Sequence, residues 1–165
     1  MILLCHMKHV CVIKSPVGNL KIEEEDNQIV KIAYTKEDVT EITDTLLKKC
    51  ADQLDDYFRG NRKEFDLPLF MKGTEFQVKV WHALEKIPYG ETRSYQDIAQ
   101  MIGKPKASRA VGMANHVNPI VILVPCHRVI GKNGKLTGYG GGLDKKKYLL
   151  ELEGEHHGIF DIGEE

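Results

Sequence analysis

"PKASRAVGMANHVNPIVILVPCHRVIG", residues 105–131, decides how the second half of this chain folds. Ala107, Ala110, Val111 and Ala114 repeat at helical spacing and make a narrow apolar stripe, with Arg109 and Asn115 pointing the other way. "NPIVILVP" then gives a short continuous aliphatic run, the pattern of a buried strand, which delivers the chain to Cys126. A small-sided helix and a buried run are thus expected to end on a cysteine beside a histidine.

Upstream, Ser94 and Asp97 form a capping signal ahead of Ile98, Ala99, Met101 and Ile102, with Gly103 as the stop. Thr74 and Gln77 form a clearer one, opening a helix through Trp81 and Leu84 that "IPYGE" closes. Two short helices joined by a tight turn, the second bearing an exposed arginine, match a helix-turn-helix whose second helix enters a DNA groove. Any αα-hairpin shares that outline. Charge adds to it, because residues 101–150 carry nine Lys and Arg against one acid in a chain of net charge -1. A locally basic face suits phosphate contacts even on a near-neutral protein.

The N-terminal third reads differently. "VCVIKS", "NLKIEEE" and "IVKIAYT", broken by "SPVG" and "EDNQ", predict an antiparallel meander. A helix is expected from Val39 to Phe58, with Cys50 on its core stripe. The mixed stretch "RGNRKEFDLPLFMKG" holds the boundary between an N-terminal domain, 1–72, and a C-terminal domain, 73–165. The fold class is α+β: a small N-terminal α/β domain with an antiparallel sheet, then a mostly helical DNA-binding domain with a helix-turn-helix.

Composition bounds the function classes. With 42% hydrophobic and 28% charged residues, the chain is ordinary for a folded domain. No apolar run is long enough for a membrane helix, and a cytoplasmic location is expected. Four irregularly spaced cysteines argue for reduced thiols over a disulfide framework. "GYGGG" lacks the ending of a phosphate loop and reads as a flexible turn.

Cys126 beside His127 has two readings. An unperturbed thiol is only a few per cent thiolate at neutral pH, so a nucleophile needs a base or a positive environment, which His127 and Arg128 can supply. Neighbouring side chains usually point apart, however, and a lone Cys-His pair equally describes a core thiol. Glu153 closes the last helix, "LDKKKYLLELEG", at the end where a carboxylate opposes the helix dipole, and orienting an imidazole would account for it.

Taken together, "VPCHRVIG", preceded by "PKASRAVGMANHVNPI" and followed by "GYGGGLDKKKYLLELEG", resembles the O6-alkylguanine-DNA alkyltransferases over about Thr74 to Gly154. The resemblance implies a partner, double-stranded DNA containing alkylated guanine, and a monomer with no cofactor. It implies that Cys126 takes the alkyl group in an in-line displacement and is consumed, with His127 as base through a bridging water and Glu153 holding the imidazole. O4-alkylthymine would be a further substrate. Arg109 would fill the gap left by a flipped nucleotide, Tyr95 would displace the neighbouring phosphate and bond the flipped base, and Asn118 would tie the two motifs together. Backbone groups at Cys126, Val129 and Gly140 would face the base edge, and Tyr139 would wall the pocket. Asn115 is expected among the groove contacts, and Lys104, Lys106 and Lys145 to Lys147 at phosphates.

Two departures stand out. Gly140 occupies a place where many members have serine, and Asn115 one that is often apolar. Some members carry an N-terminal zinc site, and Cys5, His6, His9 and Cys11 lie in that region here; their spacing is not a familiar zinc pattern, and no metal is expected. Two other readings compete: a lesion-sensing DNA module without transfer, against which the intact cysteine argues, and a cysteine hydrolase on Cys126, His127 and Glu153, which leaves the basic helix pair unexplained.

Overall fold

Alternating apolar residues in the first third pair into an antiparallel sheet of three strands, β1 (Lys8–Ile13), β2 (Asn19–Glu25) and β3 (Gln28–Thr35), in that spatial order. The computed structural model describes residues 8–154, so Cys5 and His6 lie outside the described residues. Asp26 and Asn27 join β2 to β3 with φ of 50° and 62°, the two-residue hairpin turn that the right-handed twist of strands prefers. Helix α1 (Thr45–Phe58) packs on all three strands. Its buried stripe, Leu47, Cys50, Leu54 and Tyr57, shares a core with Leu20, Ile22, Ile29 and Ile32.

That helix starts six residues later than its apolar spacing predicts. Asp44 accepts hydrogen bonds from the backbone N–H groups of Leu46 and Leu47, both at 3.1 Å. A side-chain cap there satisfies the first orphan donors, so the chain before it has no helical bonds to join.

The described chain divides after Met71. The second unit holds α2 (Glu75–Glu85), the two-residue strand β4 (Arg93–Ser94), α3 (Tyr95–Met101), α4 (Ser108–His116), the equally short β5 (Val129–Ile130) and α5 (Leu143–Gly154). Both capping signals form reciprocal boxes, Thr74 with Gln77 and Ser94 with Asp97. Gly103 stops α3 at φ +75°, a conformation that suits glycine. α2, α3 and α4 pack on one another. The Trp81 indole N–H donates to the Ala114 carbonyl at 2.8 Å and so satisfies an orphan carbonyl in the last turn of α4. Gly73 admits that ring, since a Cβ there would lie 2.5 Å from it.

"NPIVILVP" is buried, as its composition demands, but it is not a strand. The Asn118 amide explains why. Its Nδ2 donates to the Val124 carbonyl at 2.7 Å while its Oδ1 accepts from the Ile120 N–H at 3.0 Å. One side chain thereby staples the two ends of the run and folds it back on itself. Ile122 sits at the apex with φ 74°, and the Leu123 N–H donates to the Val121 carbonyl at 2.9 Å, the signature of a strained γ-turn.

Candidate active site

Pro125 makes the next bend. Its φ of -81° and ψ of 65°, with the Cys126 N–H donating to the Val124 carbonyl at 2.8 Å, describe an inverse γ-turn. Cys126 follows as the first residue of a single 3₁₀ turn ending at Arg128, and the chain then pairs in parallel with β4, Val129 opposite Arg93. That pairing sets the start of α3, and so Tyr95, near the turn that carries Cys126.

Three charged groups and an imidazole are packed behind the cysteine. His127 is fully buried, with its Nε2 2.7 Å from Glu153 Oε2. Arg128 grips the same carboxylate with two prongs, Nε to Oε1 at 2.8 Å and Nη2 to Oε2 at 3.0 Å, and its Nη1 donates to the Ile87 carbonyl at 2.7 Å. Its guanidinium also lies 5.8 Å from the centre of the Tyr89 ring. Lys146, expected at a phosphate, is wholly buried instead, and its Nζ donates to the Thr137 carbonyl at 2.8 Å.

The electrostatics follow from this packing. Burial alone would raise the Glu153 carboxyl, but His127 and Arg128 more than offset that and hold it well below the usual carboxylate range. Burial lowers the His127 imidazole; Glu153 opposes this, while the charges of Arg128 and Lys146 add to it. A neutral imidazole facing an ionised carboxylate must carry its proton on Nε2. Nδ1 is then a bare lone pair, and it is buried with no hydrogen-bond partner. Burial pushes the Cys126 thiol up, while an Asn118 hydrogen bond and the Lys146 charge act in the opposite direction. The arrangement favours a neutral thiol next in sequence to a neutral imidazole, with the Lys146 charge and the Asn118 amide placed to favour the thiolate once it forms.

The other expected residues divide into three groups. Arg109 is exposed on α4 and, with Tyr95 of α3, lines a cavity of about 640 Å³ whose wall includes Met113, His116, Thr137 and Gly138. The Tyr95 hydroxyl donates to the Thr137 carbonyl at 3.1 Å, the same carbonyl that Lys146 holds. Asn115, expected on the groove side, is instead buried, and its Nδ2 donates to the Cys126 carbonyl at 3.3 Å. It braces the cysteine turn from behind, because α4 rotates that position inward beside Val111 and Ala114. Val129 is buried with its N–H donating to the same Cys126 carbonyl. Tyr139 is buried and is not part of the cavity wall, while a Cβ on Gly140 would lie at an ordinary contact distance of 3.5 Å from the His116 carbonyl.

The role of Lys146 is the feature that the sequence reading missed. The signal was present: Lys146, Leu149, Leu150 and Glu153 follow i, i+3, i+4, i+7 and share the buried face of α5.

Residues 75–155 match the profile of the 6-O-methylguanine DNA methyltransferase DNA-binding domain, and residues 9–71 match that of the ribonuclease-like domain of the same proteins. A methylated-DNA--protein-cysteine methyltransferase of Methanosarcina acetivorans is 50% identical over 154 residues, covering 88% of this chain and 98% of that protein. The constitutive enzyme of that name from Bacillus subtilis is 48% identical over 158 residues, covering 89% and 96%. The crystal structure of Mycobacterium tuberculosis OGT in complex with DNA superposes with a TM-score of 0.82 at 49% identity, covering 89% of this chain and 93% of that one.

Proposed function

This chain belongs to the 6-O-methylguanine DNA methyltransferase family, and we propose from the site geometry which residue performs each part of the family's chemistry. The protein repairs DNA by moving an alkyl group from the base onto one of its own cysteines; it is a methylated-DNA--protein-cysteine methyltransferase, with DNA as its partner. Among the described residues no helix is long and apolar enough to cross a membrane.

Cys126 is the acceptor. Its proton passes through a bridging water to His127 Nδ1, the imidazolium that results is held by Glu153, and the thiolate attacks the alkyl carbon in line. A carbon–sulfur bond forms as the carbon–oxygen bond breaks, and guanine leaves with the electron pair. The thioether has no route back, so each molecule acts once. The observation that carries this assignment is the bare, buried Nδ1 of an imidazole whose other nitrogen is fixed by an ionised carboxylate.

The substrate is O6-alkylguanine in duplex DNA, and O4-alkylthymine by the same chemistry. Since the reacting oxygen of a paired base lies inside the stack, the nucleotide is flipped out, with Arg109 filling the gap and Tyr95 turning its hydroxyl from Thr137 to the base and its flanking phosphate. Lys104 and Lys106, exposed between α3 and α4, contact phosphates and complete a helix-turn-helix used on the backbone. One chain carries every one of these residues, so a monomer suffices.

Intact mass after mixing with an excess of O6-methylguanine oligonucleotide tests the assignment. Wild-type protein gains one methyl and Cys126→Ala gains none; a methylated Cys126→Ala protein would refute it.

A further inference from the structure

The first unit contains a carboxylate that nothing in the repair chemistry uses. Glu24 occupies a core-facing position of β2, in the alternation of Leu20 and Ile22, and it is only 2% exposed. A glutamate is an expensive occupant of such a slot, because a buried charge gives up its hydration and needs a partner to replace it. Its Oε2 is buried and has no hydrogen-bond partner. Its Oε1 faces His9, directly across the β1–β2 pair, and Asp44 approaches from the start of α1 with the carboxylate oxygen that its capping bonds leave free. Nδ1 of His9 and one oxygen from each acid lie within 4.8 Å of one another.

The contacts in this cluster are loose: His9 makes only a long hydrogen bond to Glu24, and Asp44 stands just beyond one. His9 Nδ1 is 3.3 Å from Glu24 and 3.6 Å from Asp44, whereas the two other His–Glu pairs among the described residues close to 2.7 and 2.9 Å. Ligands held about 2.0–2.1 Å from a tetrahedral ion stand about 3.3–3.4 Å apart, which is the separation of co-ligands. We propose that His9, Glu24 and Asp44 bind a divalent transition-metal ion, with a position open to solvent on the side where His9 is partly exposed. One imidazole and two carboxylates suit zinc or manganese. Such an ion neutralises the two acids and ties β1 and β2 to the first turn of α1. Burial and then Asp44 push the Glu24 carboxyl up, the tension a cation would relieve. This site is not the Cys5, His6, His9, Cys11 set that the sequence offers: only His9 is common to both, and Cys11 is a core thiol pushed up to about 11 by burial and then by Asp44.

The test uses the full chain, stripped with chelator and dialysed, then titrated separately with zinc and manganese. Bound metal and melting temperature are read for wild type, Glu24→Gln, His9→Gln, a Cys5→Ser/His6→Gln double variant and Cys126→Ser. Wild type should take up about one equivalent of at least one of the two ions and melt higher with it. Glu24→Gln and His9→Gln should lose both effects, while the double variant and Cys126→Ser keep them. Metal-free Glu24→Gln should melt no lower than wild type, since it sheds a buried charge; were it unfolded, the partly exposed His9→Gln decides. No metal-dependent rise in wild type, an equal rise in both ligand variants, or its loss in either of the other two overturns the proposal.

Discussion

A buried carboxylate gripped by an arginine and a histidine sets the pH behaviour of the proposed repair site. Glu153 and His127 both titrate lower in the folded protein than in an unfolded chain. Protonation therefore favours unfolding: their contribution is complete above about pH 6.5 and is lost as the pH falls, first over the range below the ordinary imidazole value and then below that of a carboxylate. Melting temperature measured from about pH 8 to about pH 4 should fall on the acid side, and His127→Gln should flatten the upper part of that fall. Methyl transfer should likewise hold its rate somewhat below pH 6.5, because the base stays unprotonated there; a half-loss at or above about pH 6.5 would contradict the lowered imidazole. Removing the proposed base in His127→Gln should slow single-turnover transfer by about 10²–10⁴-fold with duplex binding kept. Cys126, His127 and Glu153 were all legible as residues in the sequence. Which nitrogen of His127 is bare was not, because it depends on Arg128 keeping Glu153 ionised across twenty-five positions of chain.

Helix signals written within a few residues were read correctly, and those that need a partner were not. Both capping boxes lie three residues apart and form as their spacing predicts. The turn at 120–124 depends on Asn118 bonding both ends of an apolar run, and the late start of α1 on the geometry of Asp44; neither leaves a mark on apolar periodicity. At this scale the bond from Trp81 to Ala114 matters most. Trp81→Phe leaves that carbonyl buried and unpaired and should cost about 1–3 kcal/mol in denaturant unfolding. It should also loosen α4, the helix that carries Arg109. Arg109→Ala separates flipping from chemistry: transfer from duplex O6-methylguanine should drop while transfer from the free modified base is unchanged. An equal loss on both substrates would move Arg109 from the DNA face into the reacting site.

For the molecule as a whole, charge is distributed against the average. A net charge of -1 predicts little affinity for a polyanion, yet nine of the 23 Lys and Arg fall in residues 101–150. Not all of them reach solvent: Arg128 and Lys146 are spent inside the site, and of the other seven Lys104, Lys106 and Arg109 form an exposed group around α4. Duplex binding should weaken linearly in log salt concentration, and Lys104→Ala or Lys106→Ala should each reduce that slope by about one with no change in base preference. The division of the described chain after Met71 falls within the mixed-composition stretch 59–73. The sequence by itself determined the sheet-then-helices order, the caps, the cysteine and its histidine, because each rests on periodicity, on spacing within a turn or on residue type. Tertiary structure alone decided that Lys146 and Asn115 face inward, that an aliphatic run folds into a turn, and that His9, Glu24 and Asp44 converge. Each of those outcomes depends on which distant groups share a buried volume, where an unpaired charge or donor is costly and must find its partner.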